Sequence, residues 1–332
     1  MSRINSYFDK VYGNREFGKQ KYWVHILLFL LTLVTTIFAG TEWASGTMPP
    51  YQISELIDKG LPYSLTVLFI LGVHEFGHFF ASKYHGVDAT LPFFIPFPPI
   101  AGFLNFGTMG AVIKTRSGIN NNLKMFDIGV AGPIAGFIAS VIVLIYGFTH
   151  LPDVTYLLNI HPDYFSPNYG KGGVEIIFGN TLLYSFLQSV FTNSKEFVPP
   201  MSEMYHYPFL ISGWFGLLVT SMNLMPVGQL DGGHVVYSMF GPKIQEAVAN
   251  IFMILLLASG ILGFVDSAFN LSFHVGWSGW IFWGILLYFF VKVKHPPVPY
   301  FYKLDLKRQI AGYFAIFIFI VSFIPVPFQL AV

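Results

Sequence analysis

Runs of roughly 20 consecutive apolar residues recur along this 332-residue chain, and they constrain its fold more than any other feature. A helix rises 1.5 Å per residue, so such a run matches the ~30 Å hydrocarbon core of a bilayer. Within lipid each backbone N–H and C=O must find its partner inside the protein, which a helix provides. Composition agrees: 54% of the residues are hydrophobic and 11% are charged, against about a quarter charged in soluble domains. The chain reads as an all-α multi-pass membrane protein with about seven transmembrane helices, at 22–40, 62–84, 126–148, 208–226, 244–264, 276–293 and 309–327. A cleaved signal peptide is the rival account of the first run. That run is long enough to span and others follow it, so an uncleaved helix is the simpler expectation.

An eighth apolar stretch, Ile176 to Phe191, is short and interrupted by Gly179, Asn180, Gln188 and Ser189. Charge decides whether it crosses, because every crossing flips all later loops. With seven spans, the amino-terminal arm and the loops at 85–125, 227–243 and 294–308 share one side. Counting Lys83 and Lys292 at the helix ends, that side then holds 15 of the 18 Lys and Arg, with Lys59, Lys171 and Lys195 opposite. An eighth crossing would move Lys292, Lys294, Lys303, Lys307 and Arg308 to the wrong side. We therefore expect 176–191 to be a re-entrant or interfacial helix, with the amino terminus in the cytosol of what we expect to be the cell membrane.

Between the second and third spans, Val87 to Ile100 is too rich in proline for a helix and too apolar for a solvated loop, so it should lie along the membrane face. The stretch Phe106 to Thr115 follows, and its glycines and β-branched residues suit a membrane-associated strand or hairpin. An irregular surface loop is the alternative. Formal net charge is only +1, so bulk electrostatics imply no nucleic-acid partner. The chain has no cysteine, so any zinc is held by His, Asp or Glu.

The second apolar run contains His74-Glu75-Phe76-Gly77-His78. Ionisable residues are costly inside a membrane and are functional candidates there. Histidines four apart lie one helical turn apart on one face, so both imidazoles can bind one zinc ion, and Glu75 beside them is placed to take a proton from the attacking water. A hydrogen-bonded trio without metal is the bland alternative. Catalytic zinc usually has three protein ligands, which leaves this pair one short. Near the end of the fourth run, Asp231 follows Asn223, Leu224, Met225 and Pro226 and precedes two glycines. Pro226 should break the helix, and the glycines permit a tight turn that aims the carboxylate back into the bundle. The second and fourth spans run in the same direction, so the HExxH and Asp231 reach the same depth. A simple helix-ending turn is the other reading of Asp231. Asn223 would face the same cavity if the helix persists that far, where its amide can donate to an oxyanion. Bridging two helices is its other reading. His85, His234 and the remaining histidines read as structural or surface residues.

With both segments in view, the chain resembles the site-2 protease family of intramembrane zinc metalloproteases, peptidase family M50, in a compact form without a PDZ domain. The family pairs HExxH with a later Asn-x-x-Pro-x-x-x-x-Asp-Gly, and the segment Asn223 to Gly232 matches at each of those positions. Gly107 to Ile113 is similar to the family's membrane-associated β region, and Ala131 to Gly136 to the opening of its next core helix. The resemblance implies one zinc per chain held by His74, His78 and Asp231, with Glu75 as general base and acid and Asn223 near the scissile carbonyl. It implies cleavage of single-pass membrane proteins within the bilayer. The organisation it suggests is a cytosolic basic arm at 1–21, a first transmembrane helix and outer loop at 22–61, a catalytic membrane core at 62–240 and additional transmembrane helices at 241–332. Two other classes stay open. One is a membrane zinc peptidase acting on lipidated tails, whose third ligand is usually a glutamate; the other is a metal transporter or non-catalytic scaffold. Neither substrate identity nor oligomeric state is legible.

Overall fold

A computed structural model describes residues 19–47, 49–98, 105–170, 175–193, 197–269, 271 and 275–331. Apart from Lys19, Gln20 and Lys21, the basic arm lies outside the described residues, as do Pro99, Ile100, Lys171 and Lys195. Four helices are long and apolar enough to cross a membrane: α1 (Tyr22–Ser45), α2 (Ile53–Tyr84), α3 (Asn122–Thr149) and, later in the chain, α8 (Pro242–Phe269). Local sequence sets their starts. Glu55 accepts from the Gln52 backbone N–H at 2.9 Å in a capping box ahead of α2, and the Asn121 side chain accepts from Lys124 N at 2.9 Å ahead of α3.

The three other expected spans are helical but shorter. α6 (Pro208–Asn223) has 16 residues, α9 (Gly279–Val291) is one of the shorter apolar helices, and α10 (Leu306–Ser322) has 17. At 1.5 Å per residue α6 is roughly 24 Å long, less than the hydrocarbon core. It stops at Asn223 because Pro226 cannot donate the next helical hydrogen bond. Eleven of its residues are buried, so its neighbours in the bundle, rather than lipid, satisfy most of its surface. The structure thus shows a helical membrane protein with four span-length helices among the described residues.

The stretch expected as one interfacial helix divides in two. Residues Glu175–Phe178 form strand β3, paired antiparallel with β4 (Phe328–Ala331), and only Leu182–Phe191 is helical, as α5. The Thr181 hydroxyl caps α5 by accepting from Tyr184 N at 2.8 Å. At ten residues α5 is too short to span. The proline-rich segment also departs from a featureless membrane-lying run. Phe93–Pro96 forms β1, which pairs antiparallel with β2 (Thr108–Val112) and is irregular between Phe94 and Pro96. Pro92 and Pro96 sit at or beside the strand's ends, where a missing donor costs least. α1 anchors this hairpin, with His25 Nδ1 3.0 Å from the Pro92 carbonyl.

Helices α2, α3 and α6 pack against one another and hold the main core, with Val67, Phe126, Leu144, Leu210 and Trp214 buried. Large side chains such as Leu31, Ile142, Ile254 and Phe317 face outward, as a lipid solvent allows. Between 149 and 208 the described residues hold a short helix α4 (Val154–Ile160), β3 and α5, and no PDZ-like module.

Candidate metal centre

In lipid, helix association depends on close packing of small residues because lipid is as apolar as leucine. That requirement shapes the site. α3 reaches α2 through Gly132 and Gly136. A Cβ added at Gly132 would lie 2.1 Å from His78 Nε2, and one at Gly136 would lie 2.8 Å from His74 Nδ1. These two glycines leave the space that the two imidazoles occupy.

Asp231 arrives by the break and return expected around Pro226: α6 ends at Asn223, residues 224–230 turn, and Asp231 is the first residue of a further helix, α7 (Asp231–Phe240). Gly232 allows this close return, since a Cβ there would meet the Leu224 carbonyl oxygen at 1.9 Å. Asp231 Oδ2 lies 3.2 Å from His78 Nε2 and 3.6 Å from His74 Nε2, and the two Nε2 atoms are 3.1 Å apart.

The donor set fits zinc. Ligand bonds of 2.0–2.1 Å in a tetrahedral site place ligand atoms roughly 3.3 Å apart, which these three separations bracket. Two imidazoles and a carboxylate form a set typical of catalytic zinc, with a position left for water. His78 Nδ1 donates to the Ile128 carbonyl at 2.7 Å, which fixes the tautomer and leaves the Nε2 lone pair facing its neighbours. His74 Nδ1 is buried without a hydrogen-bond partner among the described residues.

Glu75 is buried beside the pair, and its Oε2 accepts from the Ile113 backbone N–H at 2.8 Å, one residue beyond β2. Asn223 Nδ2 lies 3.4 Å from His74 Nε2. All five residues singled out from the sequence therefore meet at one place. His74, Glu75 and Asn223 line a cavity of about 440 Å³ together with residues 108–112 of β2.

Two of the histidines set aside on sequence do have structural partners. His85 Nε2 bonds Asp127 Oδ2 at 2.7 Å, and Arg308 Nη2 meets the same carboxylate oxygen at 2.7 Å. His234 Nδ1 lies 2.7 Å from His295 Nε2. A further group, His161, Glu203 and His206, has ligand atoms at metal-binding distances, and sequence reading missed it. Its members are 42 residues or more apart or sit around a short turn, so no helical spacing announces them.

A family model described as peptidase family M50 matches residues 62–259, more than half of the chain. The chain is 29% identical over 237 residues to "Probable zinc metalloprotease EGY2, chloroplastic" of Oryza sativa subsp. indica, covering 71% of this chain and 37% of that protein. It is 26% identical over 304 residues to the Arabidopsis thaliana protein of the same description, covering 90% of this chain and 48% of that one. "Probable zinc metalloprotease EGY1, chloroplastic" of Arabidopsis thaliana is 29% identical over 238 residues, covering 67% of this chain and 40% of that protein. The chain thus spans less than half the length of each of these relatives. No solved structure matches.

Proposed function

Because the chain belongs to peptidase family M50, we propose that it is an intramembrane zinc metalloprotease that hydrolyses peptide bonds in the transmembrane segments of single-pass membrane proteins. The observation that carries this reading is the convergence of His74 Nε2, His78 Nε2 and Asp231 Oδ2 within 3.1–3.6 Å of one another, beside a buried Glu75.

His74, His78 and Asp231 would hold the zinc. When bound, zinc polarises the scissile carbonyl and makes water a stronger nucleophile at neutral pH. Glu75 takes the proton of the attacking water and passes it to the departing amine. The Asn223 amide donates to the carbonyl oxygen as negative charge develops on it. A substrate helix hides its carbonyls in its own hydrogen bonds and must unwind locally before attack. Among the described residues β2 pairs along one edge, toward β1, and residues 108–112 line the cavity, so an unwound segment can add to it as a further strand. The Ile113 N–H that orients Glu75 continues from the same strand, which links the substrate edge to the general base.

We place the amino terminus and the HExxH half toward the cytosol, with α6, α9 and α10 completing a seven-helix arrangement. Contacts among the three basic loops support their sharing one side. Arg308 pairs with Asp127, Asn122 Nδ2 donates to the Tyr302 carbonyl at 2.8 Å, and Gly228 N donates to the Val293 carbonyl at 3.0 Å. The pairing of β3 with β4 suits an opposite side shared by the 149–207 loop and the chain after α10. A peptidase of lipidated tails fits less well, because the third ligand position is taken by Asp231 on the Asn-Pro-Asp-Gly segment.

The test is cleavage of candidate single-pass substrates by the reconstituted protein. Glu75→Gln should keep its zinc and lose at least about 100-fold in rate, the low end of general-base contributions. Undiminished cleavage by that variant would overturn the mechanism.

A further inference from the structure

At the end of α6 opposite Asn223, three side chains from distant parts of the chain meet. His161 caps the carboxy end of α4, Glu203 precedes the 3₁₀ turn Met204–His206 that leads into α6, and His206 ends that turn. The sixteen residues of α6 separate this group from the His74 centre by roughly 24 Å of helix.

His161 Nε2 and His206 Nε2 face each other at 2.9 Å. Glu203 Oε2 lies 3.6 Å from His206 Nε2 and 3.8 Å from His161 Nε2. His206 Nδ1 donates to the Trp43 carbonyl at 2.8 Å, so in a neutral ring the Nε2 carries a lone pair. That lone pair points at a second ring nitrogen and at a carboxylate oxygen. Glu203 Oε1 accepts from the Tyr169 hydroxyl at 2.8 Å, while Oε2 is buried with no hydrogen-bond partner among the described residues. A buried acceptor left unpaired costs about 1–3 kcal/mol, and more when charged. Glu203 and His206 are 1% and 0% exposed.

The geometry points to a second zinc site, held by His161 Nε2, Glu203 Oε2 and His206 Nε2. The separations of 2.9, 3.6 and 3.8 Å straddle the roughly 3.3 Å expected between ligands of a tetrahedral zinc. Each buried ligand already has the outer partner that metal ligands carry, Trp43 O for His206 and Tyr169 for Glu203. The His161 side chain is 28% exposed, so the site opens on that side to a water as fourth ligand. A cation there answers the orphaned Glu203 oxygen and takes the place of the proton that otherwise joins the two ring nitrogens. The role is structural. The ion ties the end of α1, through Trp43, and the segment after α3 to the start of the helix whose far end carries Asn223.

This inference is independent of the His74 centre, and metal counting separates the two. The full chain, purified in detergent, is dialysed against zinc and its metal content per chain read by mass spectrometry. Wild type should hold two equivalents, His161→Ala one, and His74→Ala/His78→Ala one. The triple variant measures non-specific zinc. Cobalt in the His74→Ala/His78→Ala protein should give the visible absorption of a four-coordinate nitrogen and oxygen site, and adding His161→Ala should abolish it. Tyr169→Phe removes only an outer hydrogen bond and should weaken zinc by about 10- to 100-fold. Unchanged zinc content in His161→Ala, or none in His74→Ala/His78→Ala, overturns the second site. Zinc lost with His161→Ala but not with His74→Ala/His78→Ala would instead overturn the catalytic centre and leave this one standing.

Discussion

Gly132→Ala puts one methyl group into the space the metal centre occupies. The added Cβ would lie 2.1 Å from His78 Nε2, and ordinary contact begins near 3.4 Å, so the ring must retreat by about 1.3 Å. Little can yield. His78 is tethered through Nδ1 to the Ile128 carbonyl at 2.7 Å, and Ile128 belongs to the same helix as Gly132. Backing α3 away would give up the close packing at Gly77 of α2, where an added Cβ would lie 2.7 Å from the Ala131 carbonyl oxygen. Overpacking of this kind costs about 1–3 kcal/mol in stability. A displacement near 1 Å of a group at the reacting centre costs on the order of 100-fold in rate, equivalent to about 2.7 kcal/mol in the barrier. We expect kcat/KM on a single-pass substrate to fall by at least that factor, with zinc at the His74 centre reduced and the thermal transition lowered. Gly72→Ala is the control, since its Cβ would meet only Phe94 Cζ at 3.8 Å, and it should behave as wild type. Wild-type kcat/KM and zinc content in Gly132→Ala would refute the claim that this glycine makes room for the ligand.

Asn223→Ala should lower kcat by about 100- to 1,000-fold while leaving zinc bound and KM little changed, as expected for a donor that acts on developing charge; an effect confined to KM would reassign Asn223 to substrate binding. A glycine or proline placed near the scissile bond of a substrate helix should raise the cleavage rate, because unwinding precedes attack; insensitivity to helix strength would remove the strand-addition step. Arg308→Ala breaks the paired hydrogen bonds to Asp127, at 2.8 and 2.7 Å, that fasten α10 to α3. Discounted for partial exposure, the loss should be about 1–2 kcal/mol, visible as a lower melting temperature in detergent with zinc content intact. An unchanged melting temperature would show that solvent already screens the pair.

Apolar run length made the helical, membrane-embedded character legible, because lipid leaves a spanning segment few choices of backbone. The spacing of His74 and His78 placed two imidazoles on one helical face for the same reason, since four residues make one turn. Pro226 and the glycines after Asp231 signalled a break and a close return, and the break does come just before that proline. Other features depended on partners that no local pattern names. Phe93–Pro96 of the proline-rich run became a strand because β2 lies beside it, and the start of the stretch 176–191 became a strand because the chain after α10 returns to pair with it. α6, α9 and α10 fall short of full span length because turns and neighbouring helices, rather than lipid, meet their ends.

By itself the sequence determined the solvent, the helices and the chemistry carried on α2, all of which follow from spacing within one element. Only the tertiary structure decided which carboxylate faces which imidazole. It brought Asp231 to His78 on a new helix, turned Ile113 N–H toward Glu75, and gathered His161, Glu203 and His206 from sites with no shared periodicity. Ligand sets drawn from several elements obey distance in space, and spacing along the chain records distance only within a single helix or strand.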